Sequence, residues 1–309
     1  MAALSRRTSV QTRRRLWTGL SFISLWIIGF LAFTLYPMAA SLYISFTEHH
    51  IKQPSEWIGL ANYATMLNDP LFWRALYNTG YLVLFSVPLS LFISFVCALL
   101  LNMRVPGQSI YRVIYYLPSI VPVVASTLLW LWILNPNSGI LNTFLAQLGI
   151  RGPNWTHDPL WSKPSLIFMG LWGIGNTMVI YLAGLQDIPN TLVEAAELDG
   201  ATWWQRLWAI TVPLVSPITL FNLIIGVIGT FQYFAQAYVL SAGVSPTGST
   251  LGAPLNSTLF YSVYLYQQAF VYLKMGYASA QAWVLFVIIM LCTILLLRSS
   301  ERWTHYEGG

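Results

Sequence analysis

Six long apolar runs separated by shorter polar segments dominate this chain: Leu16 to about Ser45, Tyr77–Leu101, Val113–Leu134, Ser165–Gln186, Pro213–Val239 and Ser279–Leu297. Crossing a bilayer takes about 20 apolar residues, so each run is long enough to span. The pattern predicts an all-α membrane protein with six transmembrane helices. Arg6-Arg7 and Arg13-Arg14-Arg15 ahead of the first run imitate a signal peptide. That run is too long for a signal core and other spans follow, so it reads as a retained first helix. Pro88, Pro118 and Pro122 fall in or near spans two and three, where they kink the helices.

One polar, compact stretch stands between spans four and five, from Thr191 to Pro213. Flanked by membrane helices, it must lie at a surface, where it reads as a lever that a soluble partner pushes. Its chemistry predicts two short helices and a hinge. Thr191 with Glu194 has capping-box spacing, Ala195 and Ala196 favour helix, and Gly200 stops it. Thr202 with Gln205 repeats the capping pattern. Trp204, Leu207, Trp208 and Thr211 then share a face, leaving Gln205 and Arg206 elsewhere. Pro213 opens the next apolar run, where a proline in the first turn costs little.

Composition agrees with a bilayer location. Of 309 residues, 56% are hydrophobic and 8% charged, against roughly a quarter charged in soluble domains. Cys97 and Cys292 lie in apolar runs and read as inert buried thiols. The net charge of +5 is not a nucleic-acid signature, because five arginines crowd the first 15 residues beside the first span. With the N-terminus inside, ten basic residues face the cytoplasm: Arg6, Arg7, Arg13, Arg14, Arg15, Arg104, Arg112, Arg206, Arg298 and Arg302. Lys52, Arg74, Arg151, Lys163 and Lys274 face outward. This bias predicts N-in, C-in topology and a cytoplasmic lever. The chain divides into a basic tail (1–15), a six-helix membrane domain (16–302, with the lever at 188–213) and a short tail (303–309).

No Asp, Glu, Lys or Arg lies within the six runs, and His49, His50, His157 and His305 lie outside them. Ion-coupled carriers need ionisable groups in the membrane, and haem or metal carriers need ligands there, so neither class fits. No catalytic triad, paired carboxylates or phosphate-binding glycine-lysine loop appears. Glu48, Asp69 and Asp158 are scattered, which disfavours a membrane enzyme. The spans do carry neutral polar groups. Trp172, Asn176 and Thr177 lie in span four; Asn222, Thr230, Gln232, Tyr233 and Gln236 lie in span five. Amides bond hydroxyls in both senses and aromatic rings stack on sugar C–H faces, so the set suits a neutral polyhydroxylated solute. The same groups also serve as helix-to-helix hydrogen bonds. The segments 46–76, 135–164 and 240–278 are large enough for an external partner.

The wording of the lever resembles the EAA loop of bacterial and archaeal ABC importer permeases: Glu194-Ala195-Ala196, Asp199-Gly200-Ala201, then Ile210-Thr211-Val212-Pro213. The usual ending is Ile-x-Leu-Pro, and Val212 replaces the Leu. From Leu16 to about Arg302 the chain is similar to carbohydrate-uptake permeases of the maltose and glycerol-phosphate type. The likeness is carried by Tyr36-Pro37, Leu42-Tyr43-x-Ser45-Phe46-Thr47, Trp57-Ile58-Gly59-Leu60-Ala61-Asn62-Tyr63, Leu117-Pro118, Asn135-Pro136, Ala183-Gly184-Leu185-Gln186-x-Ile188-Pro189 and Gly276-Tyr277-Ala278-Ser279-Ala280.

That resemblance implies a type I importer permease in a bacterial or archaeal cytoplasmic membrane. It implies a sister permease, most simply as a heterodimer, two copies of an ABC ATPase, an extracytoplasmic solute-binding protein and surrounding lipid, with no nucleic acid. ATP and Mg would be held by the ATPase, leaving this chain non-catalytic and without a cofactor of its own. Glu194, Ala195, Ala196, Glu197, Asp199, Gly200 and Ala201 match the coupling segment. Positions near Gly173, Asn176, Gly226, Thr230 and Tyr233 match solute contacts, with Trp172, Gln232 and Gln236 beside them. In place of the family's Gly-Gly-Pro after span five stand Ala242-Gly243-Val244-Ser245-Pro246 and an extra stretch to Ser257. The alternatives are a glycerol 3-phosphate or other non-sugar importer, which would want a cation facing the pore, and an uncoupled channel, which would need no ATPase.

Overall fold

The computed structural model describes residues 10–49, 55–103, 106–244 and 251–304. Arg6, Arg7, His50, Lys52, Arg104, His305 and the Ser245–Gly248 stretch lie outside them. The chain opens with α1 (Val10–Phe30), a π-helical turn (Leu31–Leu35) and α2 (Tyr36–Ser45), followed by a two-residue hairpin of β1 (Thr47–Glu48) and β2 (Glu56–Trp57). Then come α3 (Ala61–Leu67), α4 (Pro70–Asn102), α5 (Gln108–Tyr116), a 3-10 turn (Leu117–Ile120), α6 (Val123–Ile133) and α7 (Ile140–Gln147). The second half runs α8 (Ser162–Leu171), α9 (Gly175–Gln186), α10 (Asn190–Leu198), α11 (Trp203–Arg206), a π turn (Leu207–Thr211), α12 (Val212–Phe231) and α13 (Ala235–Val244). It closes with α14 (Tyr261–Tyr266), a further π turn (Gln267–Val271) and α15 (Met275–Ser300).

Among the described residues, four helical stretches are long and apolar enough to cross a membrane: Arg15–Ser45, Pro70–Asn102, Trp203–Ala242 and Met275–Ser300. Two bent pairs bring the number to six if each pair is one span. One is Gln108–Ile120 with Val123–Ile133, bent by 99°. Pro118 and Pro122 explain it: each removes a backbone donor and bars the helix from continuing. The expected kink is therefore a full break. The other pair, Ser162–Leu171 with Gly175–Gln186, bends by 47° at Trp172-Gly173-Ile174, where the sequence predicts one straight run. Pro88 lies inside α4, whose 33 residues stay one helix about 50 Å long.

The core forms around α4, against which α8, α9, α12 and α14 pack. Ala75, Leu82 and Ala98 of α4 and Met178 and Tyr181 of α9 are fully buried. Small residues let the backbones approach closely, as in membrane bundles generally. A Cβ on Gly226 would lie 3.1 Å from Val87 Cγ1, and one on Gly184 would overlap Ile218 Cδ1. α1 is different: Phe22, Leu25 and Trp26 are all mostly exposed, an apolar surface suited to lipid or another subunit.

Helix α1 begins at Val10, ahead of the first apolar run. Segment 46–76 holds α3, and α4 starts at Pro70, before the apolar run that opens at Tyr77. The capping residue explains that start: Asp69 Oδ1 accepts from the Leu71 N–H at 2.9 Å, with proline in the first turn. Cys97 and Cys292 are free and half-buried.

Sequence segments far apart meet at this end of α4. Asp69 Oδ2 accepts from the hydroxyls of Tyr277, at 2.7 Å, and Tyr264. Asn62 donates to the carbonyls of Ser45 (2.9 Å) and Thr47 (3.0 Å), and Tyr63 hydrogen-bonds Ser45 Oγ at 2.8 Å. Trp57 stacks on Phe46. Gly276 fits here because an added Cβ would fall 2.1 Å from the Thr47 carbonyl oxygen.

Candidate functional site

At the opposite end of α4 lies the polar connector, formed by α10 and α11. Its hinge is built as the sequence suggests. Gly200 takes the left-handed conformation, at φ +77°, which an L side chain rarely adopts. Its N–H donates to the Glu197 carbonyl (3.0 Å), and the Ala201 N–H donates to the Ala196 carbonyl (2.9 Å). This is the Schellman arrangement, which satisfies the last carbonyls of α10. Thr202 then forms the expected capping box. Its N–H donates to Gln205 Oε1 at 2.7 Å, and the Gln205 N–H returns to Thr202 Oγ1 at 3.4 Å.

The first capping box does not form. α10 starts at Asn190, with Pro189 in the capping position and no side-chain cap. Thr191 is already inside the helix, so its hydroxyl cannot reach a free N–H of the first turn. The proline fixes the entry two residues too early. The second helix also differs from expectation. α11 runs without interruption through the π turn into α12, so Pro213 sits within a continuous helix. The wide π turn accommodates the missing donor and the ring. It also alters the expected face: Leu207 is buried, whereas Trp204 and Trp208 remain 63% and 65% exposed.

Arg206 is not turned elsewhere. Its guanidinium donates to Glu197 Oε1 across the hinge, forming an ion pair. Arg206, Leu207, Trp203, Trp204 and Trp208 border a cavity of about 720 Å³ whose other walls are α4 from Leu91 to Asn102 and Tyr181 and Leu185 of α9. Neither feature was legible in sequence, although opposite charges flanking a helix-stop glycine were its available signal. Glu194, Ala195, Glu197, Asp199 and Gly200 are exposed, and Ala196 and Ala201 are half-buried. Leu198, between them, is 90% exposed.

The candidate solute residues occupy helix breaks. Trp172 and Gly173 form the α8–α9 bend, with Asn176 one turn beyond. Gly173 and Asn176 are exposed, and Trp172 meets Trp130 edge-on at 6.1 Å. Gly175, missed by sequence reasoning, makes the bend possible: its Cβ would lie 2.8 Å from Tyr116 Cα and 2.9 Å from the Tyr115 carbonyl. Gln232 and Tyr233 fall in the gap between α12 and α13, where the sequence predicts an unbroken span. Thr230 precedes that gap and Gln236 follows it, both half-buried. The Tyr233 ring packs edge-on against Phe260, with its hydroxyl buried and unpartnered, as is Asn222 Nδ2. Gly226 faces Val87 of α4. α9 and α12 are adjacent, so both groups border one helix pair while facing different neighbours.

The family described as "Binding-protein-dependent transport system inner membrane component" matches residues 87–305, including both helix breaks and the whole connector. The chain belongs to this family. It is thus a permease subunit of an ABC importer, a non-catalytic membrane component of a system in which ATP hydrolysis falls to a partner ATPase. The permease is 43% identical over 293 residues to the "Probable ABC transporter permease protein YesP" of Bacillus subtilis, covering 94% of this chain and 92% of that one. It is 32% identical to the "Lactose transport system permease protein LacF" of Rhizobium radiobacter, covering 85% and 87%. Its fold matches a chain of a bacterial ABC transporter "involved in the import of the acidic polysaccharide alginate", with a TM-score of 0.77 and 26% identity over 94% of this chain and all of that one. The type I permease architecture expected from the motif is therefore present.

Proposed function

We propose that this permease forms half of the translocation path of an ATP-driven sugar importer and takes an oligosaccharide or related neutral polyol. The observation that carries the coupling role is the connector: an exposed, hinged helix pair bearing the EAA residues, continuous with a spanning helix. The neutral solute class rests on the uncharged amide and aromatic groups at these two helix breaks and on a relative named for lactose.

In this reading all six runs cross the bilayer, N-in and C-in, with the connector in the cytoplasm. Two ATPase copies bind ATP and Mg; one receives Glu194, Ala195, Ala196, Glu197, Asp199, Gly200 and Ala201, and the other the equivalent lever of a sister permease. Closure of the ATPase pair carries α10, and the unbroken α11–α12 helix transmits the movement into the membrane. The motion is driven only because the ATP-bound state prefers one permease conformation. An extracytoplasmic binding protein delivers the solute at the far end. The solute then passes Trp172, Gly173, Asn176, Gly226, Thr230, Gln232, Tyr233 and Gln236.

The test is co-expression with the genes that neighbour this one. The permease is expected to copurify with an ATPase, and Glu194→Lys or Gly200→Asp to stop uptake at unchanged membrane level. Calorimetry on the cognate binding protein is expected to give a sugar; glycerol 3-phosphate instead would overturn the solute class. Uptake without an associated ATPase would identify a channel and overturn the coupling role.

A further inference from the structure

The six apolar runs lack charge, yet two cations fall near the end of α4 far from the connector, Arg74 on that helix and Lys163 against it. Lys163, in the first turn of α8, is half-buried against α4. Its Nζ donates to Asn78 Oδ1 at 3.1 Å and lies 5.0 Å and 4.9 Å from the ring centroids of Tyr77 and Tyr81. Asn78 is itself fully buried and pinned, its amide donating to the carbonyls of Asn256 (2.8 Å) and Leu259 (2.9 Å). The ammonium is thereby held in place by a rigid acceptor and two aromatic faces. Arg74 lies one turn before Asn78 on α4, on the side of the helix that Lys163 reaches, and is exposed.

Among the described residues, no carboxylate is found paired with either cation, and the Glu197–Arg206 pair lies at the other end of the bundle. An ammonium has three donors, and one hydrogen bond with two ring faces leaves donors available. Setting a second cation beside a partly desolvated one is unfavourable unless an anion joins them. A purely structural staple between α4 and α8 would need Lys163 alone.

We propose that Lys163 and Arg74 form an oxyanion-binding site framed by Tyr77 and Tyr81, for a carboxylate, sulfonate or phosphate. Two sources share this chemistry: an acidic group on a carbohydrate, and the phosphate of a membrane lipid. The inference does not rest on the coupling role of the connector or on the solute class.

The test uses the purified full chain. Calorimetry and thermal unfolding in neutral detergent would be run with inorganic phosphate and D-glucuronate, with D-glucose as the neutral control. Native mass spectrometry would compare retention of phosphatidylglycerol and phosphatidylcholine. If the anion comes from solution, glucuronate or phosphate binds saturably and glucose does not. If it comes from lipid, phosphatidylglycerol is retained in preference to phosphatidylcholine and the free anions are inert. In either case Lys163→Gln weakens binding at least tenfold, Arg74→Gln weakens it severalfold, Lys163→Arg retains it, and Arg298→Gln leaves it unchanged. Should Lys163→Gln fail to fold, the Arg74→Gln and Lys163→Arg comparison decides. Equal behaviour of anionic and neutral probes in both arms, or wild-type binding by Lys163→Gln or Arg74→Gln, would overturn the proposal.

Discussion

Glu197 and Arg206 clasp one another across Gly200, joining the last turn of α10 to α11. The pair braces the hinge of the connector, because its two charges sit on the two arms. Both side chains are partly exposed, at 56% for Glu197 and 22% for Arg206, so the pair adds little to global stability, about 1 kcal/mol or less. Its effect should appear in transport instead. Arg206→Glu is expected to cut uptake several-fold with a small change in unfolding midpoint. The exchange of both residues, Glu197→Arg with Arg206→Glu, is expected to restore most of it. Equal defects in the single and exchanged variants would refute the brace.

Gly200 makes a separate prediction. At φ +77° a side chain costs about 1–2 kcal/mol, and a β-branched one is worse placed. Gly200→Val should therefore distort the hinge and abolish uptake, whereas Gly200→Asn, which tolerates this conformation, should keep part of it. Immunoblots of membranes would confirm equal insertion. Comparable transport by the two variants would show that the backbone conformation is not what matters.

Asp69 ties three elements together, capping α4 and accepting from Tyr264 and Tyr277. Asp69→Ala would strand two buried phenols and remove the cap, for a loss of about 2–4 kcal/mol read as a lower unfolding midpoint. Burial, and after it Asp69, holds the Tyr264 hydroxyl well above the ordinary tyrosine range. A raised folded pKa stabilises below the unfolded value and is lost as pH rises beyond it. Stability should thus hold through neutral pH and decline above about pH 10. Tyr264→Phe should flatten that decline; an unchanged alkaline slope would remove Tyr264 from its cause.

The Tyr233 hydroxyl is buried without a partner, a group that costs free energy where it stands. Tyr233→Phe should match or exceed the wild-type unfolding midpoint, by up to about 1 kcal/mol in stability. If the hydroxyl meets solute during transport, uptake falls in the same variant. Loss of stability with unchanged uptake would assign the hydroxyl to packing.

The apolar runs, the lever between spans four and five, its glycine hinge and its second capping box were all written in local sequence. They depend on composition, helix spacing and turn chemistry within a few residues of one another. The two bent helix pairs were legible only in part: Pro118 and Pro122 announce a kink, but its 99° angle and the bend at Trp172–Ile174 arise from how α5, α6, α8 and α9 pack. The glycines show why. Gly175 and Gly276 look like any others in sequence, and only a neighbouring backbone at 2.8 Å or 2.1 Å makes them indispensable.

The chain alone determined a membrane permease with a surface lever, because hydrophobic length and a gapped motif are properties of sequence. Tertiary structure decided that Arg206 reaches Glu197, that Asp69 gathers tyrosines about 200 residues away, and that Lys163 is caged by Asn78, Tyr77 and Tyr81. Those pairings depend on how helices cross, which is set by close packing between distant segments and has no local signature.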